Sequence, residues 1–164
     1  MTEIEELLER FRRGPELVAV AMIGAAGSEV DYVPAPGAWS VRQIMAHLAD
    51  SEMVGADRLR RVIAEDNPTL MVYDQDAWAT KLDYARRKPS HSMETFRRTR
   101  ADNYELLKGL PEEAFARIGT HSERGKMTLL DVVRMYADHA EGHANQLRKT
   151  RAAFKNAKAA AQGH

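Results

Sequence analysis

The chain has 164 residues, 44% of them apolar and 29% charged, enough for one domain with a sizeable core and too short for two comfortable ones. Its 24 basic side chains balance 24 acidic ones, which argues against nucleic acid as the main partner because phosphate binding needs a basic excess. There is no cysteine, so disulfides and thiolate metal sites are excluded and any metal must be held by His, Asp or Glu.

The opening Met1-Thr-Glu-Ile-Glu-Glu lacks the basic and apolar regions of a signal peptide. No apolar run approaches the roughly 18–20 residues of a membrane span. A cytoplasmic protein without membrane contact is the expectation.

Ile4, Leu7, Leu8 and Phe11 recur at helical spacing among charges. Gly14-Pro15 then interrupts, because proline suits the first turn of a helix rather than its middle. The chain is expected to kink there or to restart as a second piece over 15–25, with Leu17, Val18, Ala21 and Met22 as its apolar stripe. Residues 27–37, with Pro34 and Pro36, read as a linker.

The clearest helix start is Trp39-Ser-Val-Arg-Gln-Ile44. Ser40 is a good N-cap, Gln43 completes a capping box, and Trp39 can staple onto Ile44. This second helix should run from Val41 to about Glu65, where Asn67-Pro68 stops it. Residues 69–89 form a long connection with a short helix near Asp74–Lys81. Ser90 or Ser92 opens a third helix that ends near Gly109, and its Arg97, Arg98 and Arg100 read as a solvated face. Residues 112–126 are expected to be a loop. Met127-Thr-Leu-Leu-Asp-Val132 repeats the start signature, with Thr128 as cap and Asp131 at the third helical position. The fourth helix should reach about Lys158, leaving 159–164 as a frayed tail on a single domain over 1–158.

No stretch alternates strongly enough for a confident strand. Four amphipathic helices of about 20–30 residues make an all-α four-helix bundle. The long 69–89 connection permits a parallel crossover between the second and third helices, where a short loop would force antiparallel neighbours.

Within the fourth helix, His139 and His143 stand four residues apart and share a face. Counting about 100° per residue from His139, His143 lies near 40°, Val132 near about 20° and Leu147 near about 80°. Both imidazoles therefore border the buried stripe. The same count on the second helix, from His47, puts Ile44 near about 60° and Ser51 near about 40°. His47 too borders its core. Three such histidines can share one metal ion, or each can be satisfied separately by hydrogen bonds.

The segments Trp39-Ser-Val-Arg-Gln-Ile-Met-Ala-His-Leu-Ala-Asp50 and His139-Ala-Glu-Gly-His-Ala-Asn-Gln146 together resemble the DinB/YfiT superfamily of DNA-damage-inducible and metal-dependent bundle proteins. Gly-Pro-Glu-Leu at 14–17 and Pro-Ala-Pro-Gly-Ala-Trp-Ser at 34–40 are similar to that family as well, so the resemblance covers nearly the whole chain. It implies an up-down-down-up four-helix bundle, with the parallel step made by the long connection. It implies metal ligation by His47, His139 and His143, and frequent homodimers. Family members include thiol S-transferases and a thiol-dependent isomerase.

Three imidazoles and water give a divalent ion an open position, as in catalytic sites. Zinc, nickel or iron suits such ligands, with zinc or nickel favoured. The expectation is a metal-dependent enzyme, transferase or hydrolase, that activates a thiol or water against a small molecule. In the first case the expected partner is a low-molecular-weight thiol. The alternative is a non-catalytic stress-associated bundle that binds metal or a partner without turnover. A zincin is excluded because Glu141 does not directly follow His139, and a di-iron site because no Glu-x-x-His occurs at the three histidines.

Further positions keep two readings each. Gln146, on the histidine face, can orient a ligand or sit as a polar edge residue. Asp50 can support His47 from behind. Ser51 can contact substrate or let helices approach closely. His121 is read as a solvated loop residue, with the mouth of a pocket as its other reading. His91 is read as a surface residue, and Tyr136 and Trp78 as core aromatics.

Overall fold

Three reciprocal caps begin three of the long helices in the computed structural model, which describes residues 1–163. α1 (Glu3–Met22) starts from Thr2, whose side chain accepts from the Glu5 amide while the Glu5 carboxylate accepts from the Thr2 amide. α2 (Val41–Ala64) starts from Ser40 and Gln43 in the same way. A short α3 (Gln75–Lys81) is capped by Asp74. α4 (Pro89–Lys108) uses Pro89 in its first turn, with Lys88 as an N-cap that offers no side-chain bond. It opens one or three residues before the expected serines, because proline is already set in the helical φ and has no N–H to satisfy. α5 begins at Leu129 from the Thr128–Asp131 box and runs to Gln162, four residues past the expected Lys158. Its alanines are strong helix formers and carry it on as an exposed spiral. Position 164 of the expected tail lies outside the described residues.

Cross-helix bonds give the directions. Glu3 meets Arg134, Arg10 meets Asp138 and Glu141, and the Ala21 carbonyl meets Arg151, so α1 and α5 run parallel. Glu52 meets Arg100 and Asn103 meets Arg60, so α2 and α4 are parallel too. His47 faces His139 while Arg58 faces Tyr136, which makes α2 and α5 antiparallel. This is the up-down-down-up order. No described helix is long and apolar enough to cross a membrane.

α1 is one unbroken helix through Pro15, not the kinked or divided pair expected. Proline at 15 has no N–H to give the Phe11 carbonyl one turn earlier. That carbonyl instead accepts from Arg100 Nη1 of α4 at 2.7 Å. Gly14 leaves the guanidinium its space, since a Cβ there would stand 2.6 Å from Arg100 Nη1 and 2.8 Å from the Ala140 Cβ. Arg100 is 1% exposed. It is not part of a solvated face, in contrast to exposed Arg97 and Arg98. Its Nε and Nη2 donate to the two Glu52 oxygens at 2.6 and 2.9 Å, and Nη2 also reaches the Tyr136 carbonyl at 3.0 Å. One side chain thus binds all four long helices. Apolar clusters lie on both sides of this layer, one around Phe11, Leu59, Leu107 and Val133, the other around Val18, Ile44, Phe96 and Leu147.

The expected 112–126 loop is more ordered than its sequence suggests. A 3-10 turn (Glu112–Ala116) leads into β2 (Ile118–His121) and β3 (Gly125–Thr128), an antiparallel hairpin. β1 (Thr69–Leu70), from the long connection, joins β2 in parallel with Leu70 opposite His121. Gly119 lets this sheet press on α2, because a Cβ there would lie 3.0 Å from Val62 Cγ2.

Removing the Arg100 charge leaves a buried carboxylate alone, which typically costs about 3–5 kcal/mol. Arg100→Met is therefore expected to lose that much stability in urea unfolding, and Glu52→Leu combined with Arg100→Met to lose clearly less than the sum of the single changes. Additive losses would contradict the coupling.

Candidate metal centre

A small residue lets α2 and α5 approach closely. Gly55 accepts the face of Tyr136 so closely that a Cβ would be 2.6 Å from the ring. Two turns along α2 from Gly55, His47 points into the seam and is 1% exposed. His139 and His143, one turn apart on α5, meet it there.

The three rings converge through their Nε2 atoms. His47 Nε2 lies 2.9 Å from His139 Nε2, and His143 Nε2 lies 3.1 Å from the same atom. Every pair of ligand atoms lies within 4.8 Å. Ring centroids are 4.4–4.9 Å apart. The Gln146 Oε1, 2.7 Å from His143 Nδ1, accepts that N–H and leaves the His143 Nε2 lone pair facing the centre. The His139 Nε2 faces two nitrogens and has at most one proton to share between them. His47 Nδ1 is buried with no partner. Three neutral imidazoles cannot satisfy one another in this arrangement.

A divalent cation resolves the conflict, since all three Nε2 atoms then act as acceptors toward one point. Nitrogens bound about 2.0–2.1 Å from an ion stand about 2.8–3.4 Å apart for octahedral or tetrahedral angles. The His47–His139 and His139–His143 spacings, 2.9 and 3.1 Å, fall within that range. The residues fit a metal.

Burial also keeps the imidazoles available as ligands. It holds His47 down to about 4, with the neighbouring His143 adding to the effect and Asp50 opposing it. Burial lowers His139 still further, helped by His143, His47 and Arg100. His143 is likewise lowered by burial, against the Gln146 bond.

Gln146 therefore stands where the helical count put it. Asp50 does not contact His47 by hydrogen bond. Its oxygens are both taken by Arg87, at 2.9 and 3.2 Å. Trp39 instead packs against the His47 ring at 5.0 Å between centroids and walls that side of the site. Ser51 is buried and lines a cleft of about 430 Å³, shared with Arg58, Tyr73, His121, Tyr136 and His139. The same cleft corrects the reading of His121, which is 6% exposed at the end of β2 rather than solvated. Leu70 pairing beside it and the tight 122–124 turn fold it inward. Tyr136 belongs to both core and cleft, Trp78 is half-buried against Tyr73, and His91 is exposed.

Arg58 and Tyr73 were not legible as site residues from spacing alone. Arg58 was within reach: eleven residues after His47 return to within about 20° of it on the helix. Tyr73 carried no signal, because it sits in the irregular connection after β1.

A model of the DinB superfamily matches residues 4–147. The chain belongs to the DinB superfamily. A relative from Oceanobacillus iheyensis, whose name proposes a metal-dependent hydrolase, is 30% identical over 141 residues, covering 85% of this chain and 81% of its own. YfiT of Bacillus subtilis, named in the same way, is 30% identical over 141 residues, 85% of this chain and 75% of its own. The solved structure of YfiT, described as having an unusual four-helix bundle topology, overlays the DinB bundle with a TM-score of 0.84 at 24% identity, covering 92% of this chain and 87% of that one. A mycothiol-dependent maleylpyruvate isomerase shares the fold with a TM-score of 0.72 at 15% identity, covering 89% of this chain and 61% of that one.

Two outcomes check the geometry. Gln146→Leu is expected to weaken zinc binding about 10–100-fold by freeing the His143 ring, measured by competition with a chelator. An unchanged affinity would remove Gln146 from the site. In metal-free protein, the unfolded chain takes up a proton at His47 near 6.5 while the folded chain resists until about 4. Stability should therefore fall as pH drops from 6.5 toward 4, and His139, held lower still, continues the fall below that. His47→Gln should fall less steeply across that window in thermal unfolding, and an identical slope would contradict the assignment.

Proposed function

We propose that this DinB protein is a metal-dependent enzyme in which His47, His139 and His143 hold one divalent ion, zinc or nickel in preference to iron, and act on a small molecule in the adjoining cleft. The observation that carries the reading is the meeting of three Nε2 atoms, from one buried and two half-buried histidines on two helices, beside an open cleft. An ion so held supplies Lewis acidity, which lowers the pKa of a coordinated water or thiol and makes a nucleophile near neutral pH.

The chain's own groups prepare that chemistry. Depressed pKa values keep the three imidazoles unprotonated at neutral pH, so protons do not compete for their lone pairs. Gln146 fixes the tautomer of His143. Trp39 covers the His47 side, and the remaining approach is through the cleft, where His139 stands on the wall. The Tyr136 phenol, held up to about 12 by burial, stays protonated there and can donate a hydrogen bond. A cleft of about 430 Å³ suits a small-molecule substrate.

Two nucleophiles remain in view, each favoured by a separate likeness. The names of the relatives at 30% identity favour water and hydrolysis. The thiol-dependent isomerase of the same fold favours a low-molecular-weight thiol.

Protein purified without an affinity tag should contain about one equivalent of metal, and His143→Ala should lose most of it. The parent, and not the variant, should then turn over either esters and amides alone or electrophiles in the presence of a thiol. Esters cleaved without thiol assign hydrolysis, and turnover that requires thiol assigns transfer. Absence of metal from the parent at physiological zinc or nickel levels would contradict the proposal.

A further inference from the structure

Two arginines are buried among the described residues, Arg100 and Arg58. Arg100 is matched by Glu52. Arg58, 7% exposed, forms no ion pair with any described carboxylate within 4.0 Å. Its Nη1 donates to the Tyr136 hydroxyl at 3.2 Å and its Nη2 to the Met71 carbonyl at 2.6 Å, both neutral acceptors. Its Nε is buried with no partner. Leaving a cation in such a place is unfavourable unless an anion arrives to meet it.

The same cleft holds a second unspent donor. His121 Nδ1 accepts from the backbone amides of Glu123 and Arg124, each at 3.1 Å. That fixes the proton of the neutral ring on Nε2. Burial lowers the pKa of His121, with Arg58 and Arg124 adding to the effect and Glu123 opposing it, so the ring is a neutral donor at pH 7. The cleft also carries Asp74 and Glu123, both exposed. Asp74 is occupied in capping α3 through the Ala77 amide. Neither reaches Arg58.

We propose that Arg58 and His121 form a carboxylate-binding subsite in the cleft, and that the small molecule handled beside the three imidazoles carries a carboxylate. The second half rests on the metal-enzyme reading; the first stands without it. The Arg58 guanidinium and the His121 Nε2–H both line the cleft, so a charged fork and a neutral donor stand together to meet the two oxygens of a carboxylate. The Tyr136 hydroxyl, which accepts from Arg58, keeps its own proton for a third contact. Phosphate would bring more acceptor oxygens than the cleft has buried donors.

The test is a titration of metal-free and zinc-loaded protein with acetate, acetamide and inorganic phosphate, following the Arg58 Nε–H and His121 side-chain nitrogens by NMR. Acetate is expected to shift both in a saturable way in both forms, and acetamide to shift neither. Arg58→Met should weaken acetate binding at least about tenfold, while Arg58→Lys, which keeps the charge and loses the fork, should keep part of the affinity. Both variants are checked for folding by thermal unfolding, where removal of an unmatched charge is expected to leave the midpoint of Arg58→Met at or above the parent. The proposal is overturned if acetate does not saturate, if acetamide does as well, if phosphate is the anion preferred, or if Arg58→Met binds acetate like the parent. Acetate binding confined to the zinc-loaded form also overturns it, since the ion alone would then be the site. Zinc content measured on the same samples reports separately on the metal centre, and the metal-free titration decides the subsite whatever that content is.

Discussion

The guanidinium of Arg100 is the contact on which the helices depend. It lies in the middle of the bundle, donates to α1, α2 and α5 from its place on α4, and is 1% exposed. A buried charge pair gains little net stability over an apolar core of the same shape, because desolvation offsets the attraction. What it enforces is a single arrangement. The four hydrogen bonds of Arg100, including the one to the Phe11 carbonyl that Pro15 leaves free, form together only when all four helices stand in one register. Apolar side chains alone would tolerate small slips along the bundle axis.

That register matters for the imidazoles. His47 comes from α2 and its partners from α5, so a shift of one helical turn between these helices would move the Nε2 atoms about 5 Å apart. The Arg100 bonds to Glu52 and to the Tyr136 carbonyl hold α2 and α5 at the level of the site. Gly55 against Tyr136 sets their separation. The small sheet then closes one side of the cleft and carries His121 to it. The bundle supplies the three imidazoles, and the connections between helices supply the pocket.

Local chemistry made much of this legible in advance. Ser40 with Gln43 and Thr128 with Asp131 announce helix starts because capping acts over three residues. The His139–His143 spacing and the angular position of His47 place all three rings at the core edge from the sequence alone. Other features depend on partners far along the chain. Arg100 sits in a run of charges that reads as solvated, and nothing local reveals that Glu52, 48 residues earlier, waits for it. Pro15 looks like a helix break because the donor that replaces its missing N–H belongs to α4. β2 and β3 are four residues each, too short to show alternation, and His121 is buried only because they pair with each other and with β1. Asp50 is near His47 on the helix, yet Arg87 from another segment claims it.

X-ray absorption at the zinc edge of untagged protein measures the central claim most directly, because it counts the imidazoles around the ion. The geometry predicts three histidine nitrogens at about 2.0–2.1 Å with at least one oxygen or sulfur completing the shell, and two nitrogens after His47→Ala. A shell of oxygens alone, or a nitrogen count unchanged by His47→Ala, would contradict a metal centre shared between α2 and α5.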